Sequence, residues 1–266
     1  MYDFKDGTVN GNMMECWRIF DGRRCLVKRV GSSFQEAHNE IAGNMFAKSL
    51  GAKYVKYDIL NTNRNLYSVC DNAVDKNSEL VPAGFIMFSK HNKSSEFSIK
   101  EYISICKENG LQHTNTEVSQ MVALDCIINN TDRHWTNFGI LRNPDTLEWK
   151  SFMPIFDNGN SLWYDIYSDD EVGCDQKDRM TGKMLSEHFS DIIYGGFIDI
   201  TKLHETADEV SHMLSGNNRL TYNRVDMINK GLHDNIDILD GRYRSMMINR
   251  NRSLDYSSMT QFTLRL

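Results

Sequence analysis

The run Asn129 to Gly159, "NNTDRHWTNFGILRNPDTLEWKSFMPIFDNG", constrains this chain more than any other part of it. Two apolar stretches, "NFGILR" and "LEWKSFMPIF", flank "NPDT", and Asn143-Pro144 is a strong turn signal because proline presets φ. The pattern predicts an antiparallel hairpin whose first strand begins at Asn137 and whose second ends in "IFDNG". The two outer ends of such a ribbon lie side by side. Asp157 therefore returns to Asn137 and to Asp132 just before it, and three oxygen-bearing side chains converge around Arg133 and His134.

A set of two aspartates and one asparagine suits a hard divalent cation. Magnesium takes one or two carboxylates, keeps waters and completes its shell with substrate phosphates. Zinc is the poorer fit, since no Cys or His cluster accompanies the oxygens. Phosphoryl transfer follows as the reaction class, because it needs a metal, a carboxylate to accept the nucleophile's proton and a cation on the other phosphates. In that reading Asp132 is the base, and Asn137 and Asp157 are the metal ligands. Lys28, near the end of "RRCLVKRV", is the cation, aimed inward by strand alternation. Glu40 on the following helix orients it, with Glu36 one turn earlier as the alternative. His134 either orients the loop through a structural hydrogen bond or contacts the transferring phosphate. Arg133 braces the loop or pairs with a carboxylate, and Trp135 and Phe138 pack beneath it.

The rest of the chain divides by texture. "MMECWRIF" and "RRCLVKRV" read as a hairpin around Asp21-Gly22. "SSFQEAHNEIAGNMFAKSLG" changes period: Ser32 or Ser33 caps a helix, Phe34, Ile41, Met45 and Leu50 mark its apolar face, and Gly51 stops it. "AKYVKYDIL" and "NLYSVCD" are two further strands. Beyond about residue 75 the pattern is helical except for the hairpin. The helices are "SSEFSIKEYISICKENG", "NTEVSQMVALDCIINN", "HFSDIIYGGF", "ITKLHETADEVSHMLSG", "NRVDMINKG" and "HDNIDILDGRYRSMMINRN", with a frayed polar end. The expected architecture is α+β and bilobal, a β-rich lobe over 1–72 and a helical lobe over 73–266.

Composition removes several classes of function. A formal net charge of -6 is too acidic for general phosphate-backbone binding, so no direct nucleic-acid role is expected. No apolar run reaches the roughly 18 to 20 residues a membrane span needs, and "MYDFKDGTVNGN" is not a signal peptide. The six cysteines are scattered without a C-x-x-C pair, as in a reducing compartment, and the cytoplasm is expected. The acidic stretch with Asp165, Asp169, Asp170 and Glu171 reads as a solvated loop, with a preference for basic acceptors as the sharper alternative.

The D-R-H-x-x-N motif, followed 25 residues after Asp132 by "DNG", resembles the catalytic core of HipA-like serine/threonine kinases. These are the toxin kinases of bacterial toxin–antitoxin pairs, distantly similar to phosphatidylinositol kinases. The resemblance extends to "LVKR" and "NEIAGNMFAKSLG" and spans roughly residues 10 to 165. It implies a protein kinase-like fold, ATP and magnesium as cofactors, a serine or threonine acceptor on a protein and an antitoxin partner. Carried over by position, Asp132 resembles the catalytic aspartate, Asn137 and Asp157 the metal ligands and Lys28 the phosphate lysine. Gly11 belongs to the loop over the phosphates, and the backbone of Val69, Cys70 and Asp71 is the hinge facing adenine. "GTVNGNMM" has no serine for the autophosphorylation that switches relatives off. The chain also begins almost at this loop, so it reads as a kinase core alone or a piece of a split system. A kinase of small molecules or lipids, and a silent nucleotide-binding module, remain alternatives.

Overall fold

The computed structural model describes residues 15–20, 22–31, 34–62, 65–94, 97–190, 192 and 198–263. Gly11 and the expected caps Ser32 and Ser33 lie outside them. β1 (Glu15–Phe20) and β2 (Arg23–Arg29) form the predicted hairpin, with Gly22 at φ 77° in a left-handed turn that glycine tolerates. After α1 (Gln35–Ser49), β3 (Tyr57–Asn61) and β4 (Leu66–Asp71) complete an antiparallel sheet in the order β1-β2-β4-β3.

A second antiparallel sheet has the order β5-β6-β7. β6 (Gly139–Arg142) and β7 (Trp149–Phe152) are the predicted hairpin. β5 (Glu79–Pro82) and α2 (Ala83–Phe88) have no counterpart in the sequence reading, because "ELVP" is too short to show a period. α3 (Ile99–Glu108) and α4 (Thr114–Ile127) match their predicted segments, as does α5 (Ile200–Ser215). Most of "HFSDIIYGGF" lies outside the described residues; its first three belong to a 3-10 turn, Leu185–Ser190. α6 (Tyr222–Thr263) is one unbroken helix where two were expected.

One main core runs from α1 through α3 and α4 to α5 and α6, centred on Phe46, Tyr102, Leu124, Trp163 and Leu239. A smaller one, with Val55, Tyr57, Cys70 and Met153, lies between the two sheets. The sheets are joined where Tyr54 bridges Ile155, with Val55 N–H on Ile155 O at 2.9 Å and Ile155 N–H on Lys53 O at 2.8 Å. Trp135 and Phe138 pack edge-on or tilted against Tyr102, Phe97 and Phe152, as expected for residues under the loop.

α1 departs from its predicted single apolar face. Ile41 and Met45 are only half-buried, whereas the polar Gln35, Glu36, Asn39, Glu40 and Asn44 are buried. Four side-chain hydrogen bonds explain the burial of Gln35, Asn39 and Glu40. Gln35 Nε2 donates to Leu162 O (2.9 Å), Asn39 Nδ2 to Gly159 O (2.8 Å) and Ser161 O (2.7 Å), and Asn158 N–H to Glu40 Oε2 (2.8 Å). On its other side α1 packs on α5, where Ser49 and Thr206 hydroxyls meet at 2.7 Å.

Candidate active site

The loop after α4 is shaped by one inward-turned side chain. Asn129, at φ 52°, leaves the helix in the left-handed region that asparagine tolerates. Arg133 is then 2% exposed and forks onto the buried Asp125, with Nε to Oδ2 and Nη2 to Oδ1 both at 2.9 Å. Its Nη1 donates to Asn137 O (3.2 Å) and Phe156 O (2.6 Å), and its Nη2 to Asn158 Oδ1 (2.8 Å). Burial pushes the Asp125 carboxyl up despite Arg133, while the Asp125 charge outweighs the burial of Arg133 and keeps it charged. This pairing with a carboxylate is the role expected for Arg133. One guanidinium thus holds the start of the hairpin at Asn137 against its end at Phe156, and so brings Asn137 and Asp157 together.

The two ends offer oxygen. Asn137 is buried and its Nδ2 donates to Asp132 O (3.0 Å), so Oδ1 is the atom it can present to a ligand. Asp157 stands at φ 61° with its carboxylate a third exposed. Burial raises its pKa, but the charge and hydrogen bond of Lys28, then Arg133 and His134, more than offset this and hold it below the usual aspartate range. An ionised carboxylate beside an amide oxygen is the donor set expected for magnesium, and these two residues fit that ion. Among the described residues no three His, Cys, Asp or Glu side chains converge.

Lys28 lies across from this pair, buried, with Nζ 3.0 Å from Asp157 Oδ1 and 3.5 Å from Glu15 Oε1. Burial alone would lower its pKa; the carboxylates of Asp157, Glu40 and Glu15 outweigh that and keep the ammonium charged. The expected partnership with Glu40 is therefore a matter of field, since Glu40 bonds the Asn158 N–H and the ion pairs go to Asp157 and Glu15. Desolvation, then the Asp157 charge, pushes the buried Glu40 carboxyl up to about 8. Glu36, the alternative partner, instead accepts the Gly31 N–H.

Asp132 is held at both oxygens. Arg179 Nη1 lies 2.6 Å from Oδ1 and Asn160 Nδ2 donates to Oδ2 at 2.8 Å. His134 Nδ1 accepts the Thr136 N–H at 3.3 Å and meets its hydroxyl at 2.7 Å, the loop-orienting bond among the two roles expected of it.

The segment expected as the hinge, Val69 to Asp71, closes β4. Val69 and Cys70 lie inside β4, which pairs with β2 on one side and β3 on the other, so their backbone is not an open edge. Asp71 ends the strand opposite Cys25, with both carboxylate oxygens accepting from Arg23 Nη1 at 2.8 and 2.7 Å. The backbone leaves the sheet only after Asn72, whose N–H still reaches Arg24 O.

Four polar side chains of this site escaped the sequence reading: Asp125, Asn158, Asn160 and Arg179. Asn158 and Asn160 lie in "DNGN", of which the motif singles out only Asp157. Asp125 sits in an apolar helix, where a lone carboxylate is a signal for a buried partner. Arg179 carries no such signal.

Comparison with solved structures identifies the fold. A Helicobacter pylori proinflammatory kinase, CtkA, is similar over 88% of this chain and 95% of that one, with a TM-score of 0.64 at 17% identity. HipA of Shewanella oneidensis, solved with HipB and its operator DNA, is similar over 89% of this chain and 67% of that one, with a TM-score of 0.51 at 14% identity. No family model and no curated protein matches the sequence. The molecule has a HipA-like kinase fold, with antiparallel sheets and helices in the α+β arrangement expected. Among the described residues no helix is long and apolar enough to cross a membrane.

Proposed function

We propose that this protein is a HipA-like serine/threonine kinase that transfers the γ-phosphoryl of ATP to a protein hydroxyl. The observation that carries the reading is the meeting of Asn137, Asp157 and Lys28, fixed by Arg133 on the loop that bears Asp132. Residues 1–72 would form the lobe over the phosphates, and 73–266 the lobe that receives the acceptor.

Asn137 and Asp157 would hold magnesium, which when bound supplies charge neutralisation at the phosphates. Lys28 leaves its ion pair with Asp157 for the phosphate oxygens, in a pocket that keeps it charged. Asp132 orients the acceptor hydroxyl and takes its proton as the new O–P bond forms and the bond to the leaving diphosphate breaks. Such a positioned base contributes roughly 10²–10⁴-fold. Because the HipA neighbour was solved with HipB, the reading extends to a toxin kinase with an antitoxin partner, acting in the cytoplasm.

The test is transfer of labelled γ-phosphate from ATP with magnesium in a cell lysate. Label on a discrete protein with the wild type, reduced about a hundredfold or more in Asp132→Ala and Asp157→Ala, is the expected result. Label confined to lipid or small molecules would replace the protein acceptor. No transfer at all, despite nucleotide-dependent thermal stabilisation, would leave a silent nucleotide-binding module.

A further inference from the structure

The turn that carries Arg179 is firmly rooted. Lys177 and Met184 form an antiparallel bridge, and Asp178 N–H bonds Lys183 O at 2.9 Å. The Asp178 carboxylate accepts the Thr181 N–H and hydroxyl, at 2.6 and 2.7 Å, and pairs with His188 at 2.6 Å. Asp178 and His188 are both buried, so this base is part of the core wall. Arg179 N–H then bonds Thr131 O at 2.9 Å, which pins the turn to the residue before Asp132.

The side chain contrasts with its root. The Arg179 side chain is 67% exposed although Nη1 lies 2.6 Å from Asp132 Oδ1, and the Asp132 side chain is 19% exposed. One of five N–H donors serves Asp132, and the remainder of the planar fork is available to a second anion. Lys177 and Lys183 on the same turn are also exposed. The positive sign is local, because the whole chain carries -6. The acidic stretch, read as a solvated loop with a preference for basic acceptors as the alternative, is partly occupied within the fold: Asp169 faces Arg224 at 3.5 Å and accepts from Asn223 at 3.2 Å.

An acceptor hydroxyl that reaches Asp132 must bring its neighbours past Arg179. We propose that Arg179 is the specificity residue for the acceptor, selecting a serine or threonine flanked by an anionic group, a carboxylate or a phosphate. A guanidinium binds either through two parallel N–H bonds, and that engagement draws it from Asp132 Oδ1, which then faces the hydroxyl. The proposal rests on Asp132 being the base of the transfer proposed above.

Peptide mixtures with a central Ser or Thr, flanked by Glu, phosphoserine, Gln or Lys, test it with wild type, Arg179→Gln and Arg179→Glu. The wild type is expected to favour Glu or phosphoserine over Gln by about tenfold in kcat/KM, carried mainly by KM. Arg179→Gln should bring that ratio to about one, and Arg179→Glu should turn it toward Lys. A phosphoserine preference well above that for Glu identifies a phosphate as the selected group; equal values identify a carboxylate.

An unchanged preference in Arg179→Glu would overturn the proposal. So would an equal fall for every peptide in a folded Arg179→Gln, which leaves Arg179 as a brace for Asp132 alone. Fluorescence anisotropy of the same peptides with Ala at the centre separates the two readings. If the wild type phosphorylates nothing, the role of Asp132 fails, and binding alone decides on Arg179. Tighter binding of the Glu or phosphoserine peptide to wild type than to Arg179→Glu supports the selection, and equal binding refutes it.

Discussion

At the scale of single residues, Glu40 offers the sharpest prediction. Its folded pKa of about 8 lies above the ordinary 4.5 because burial and the nearby Asp157 charge disfavour the carboxylate. The folded state therefore holds this proton more tightly than the unfolded chain. The stabilisation is complete below about pH 4.5, falls as pH rises toward about 8 and is flat above, a change of a few kcal/mol in order of magnitude. Asp157 has the opposite sign, but its window lies below the ordinary aspartate range and does not overlap. Without metal or nucleotide, Glu40→Gln should flatten the dependence of Tm between about pH 5 and about pH 8.5 by several degrees relative to wild type. An identical slope in the variant would place the proton elsewhere. Asp132, Asn137 and Asp157 were legible because a motif and one turn signal place them within a short stretch. Arg179 and Asn160 were not, because they reach Asp132 from 47 and 28 residues away, on segments without period.

At the scale of elements, α6 shows where sequence reading fails and why. Gly231 closes the first of the two expected helices, since glycine in a helix costs roughly 0.5–1 kcal/mol relative to alanine, and Gly241 lies inside the second. Gly231 is nonetheless helical because α6 lies against the loop there: an added Cβ would stand 2.5 Å from Trp163 Cη2 and 2.8 Å from Gly173 Cα. Gly241 has nothing within 4 Å of that position. The same substitution should then act with opposite signs. Gly231→Ala is expected to lower stability by about 1–3 kcal/mol through overpacking, and Gly241→Ala to raise it by about 0.5–1 kcal/mol. Urea denaturation of the two variants decides it, and equal effects would remove the packing explanation. Most elements were visible through their period; β5 was not, because a four-residue strand has no period and is fixed by Gly139 packing against Val81 and Pro82.

At the scale of the whole molecule, the cysteines report whether the parts open together. Cys174 is exposed and Cys16 half-buried, while Cys25, Cys70, Cys106 and Cys126 are buried. Burial, with the Glu40 charge next, pushes the Cys70 thiol up to about 12, and burial raises Cys106 to about 11. A maleimide reagent should label Cys174 first and Cys16 next, and the four buried thiols only on global unfolding. Mass analysis with time and denaturant resolves the order. Because α1, the 158–162 segment and α5 are tied together, Cys25 and Cys70 should react in step with Cys106 and Cys126. Earlier labelling of the first pair would mean that the β1-β2-β4-β3 sheet opens alone.

The two-sided anchoring of α1 bears on control. Protein kinases are switched on and off by repositioning the helix that carries the glutamate, which makes and breaks its pairing with the lysine. Here that helix bonds the 158–162 segment at Gln35, Asn39 and Glu40 and touches α5 at Ser49, so an outward swing would strand several buried polar groups at once. On the proposed reading, a switch of that kind would cost this molecule those bonds. Control of the proposed transfer then falls more readily to the exposed turn beside Asp132 or to the supply of acceptor.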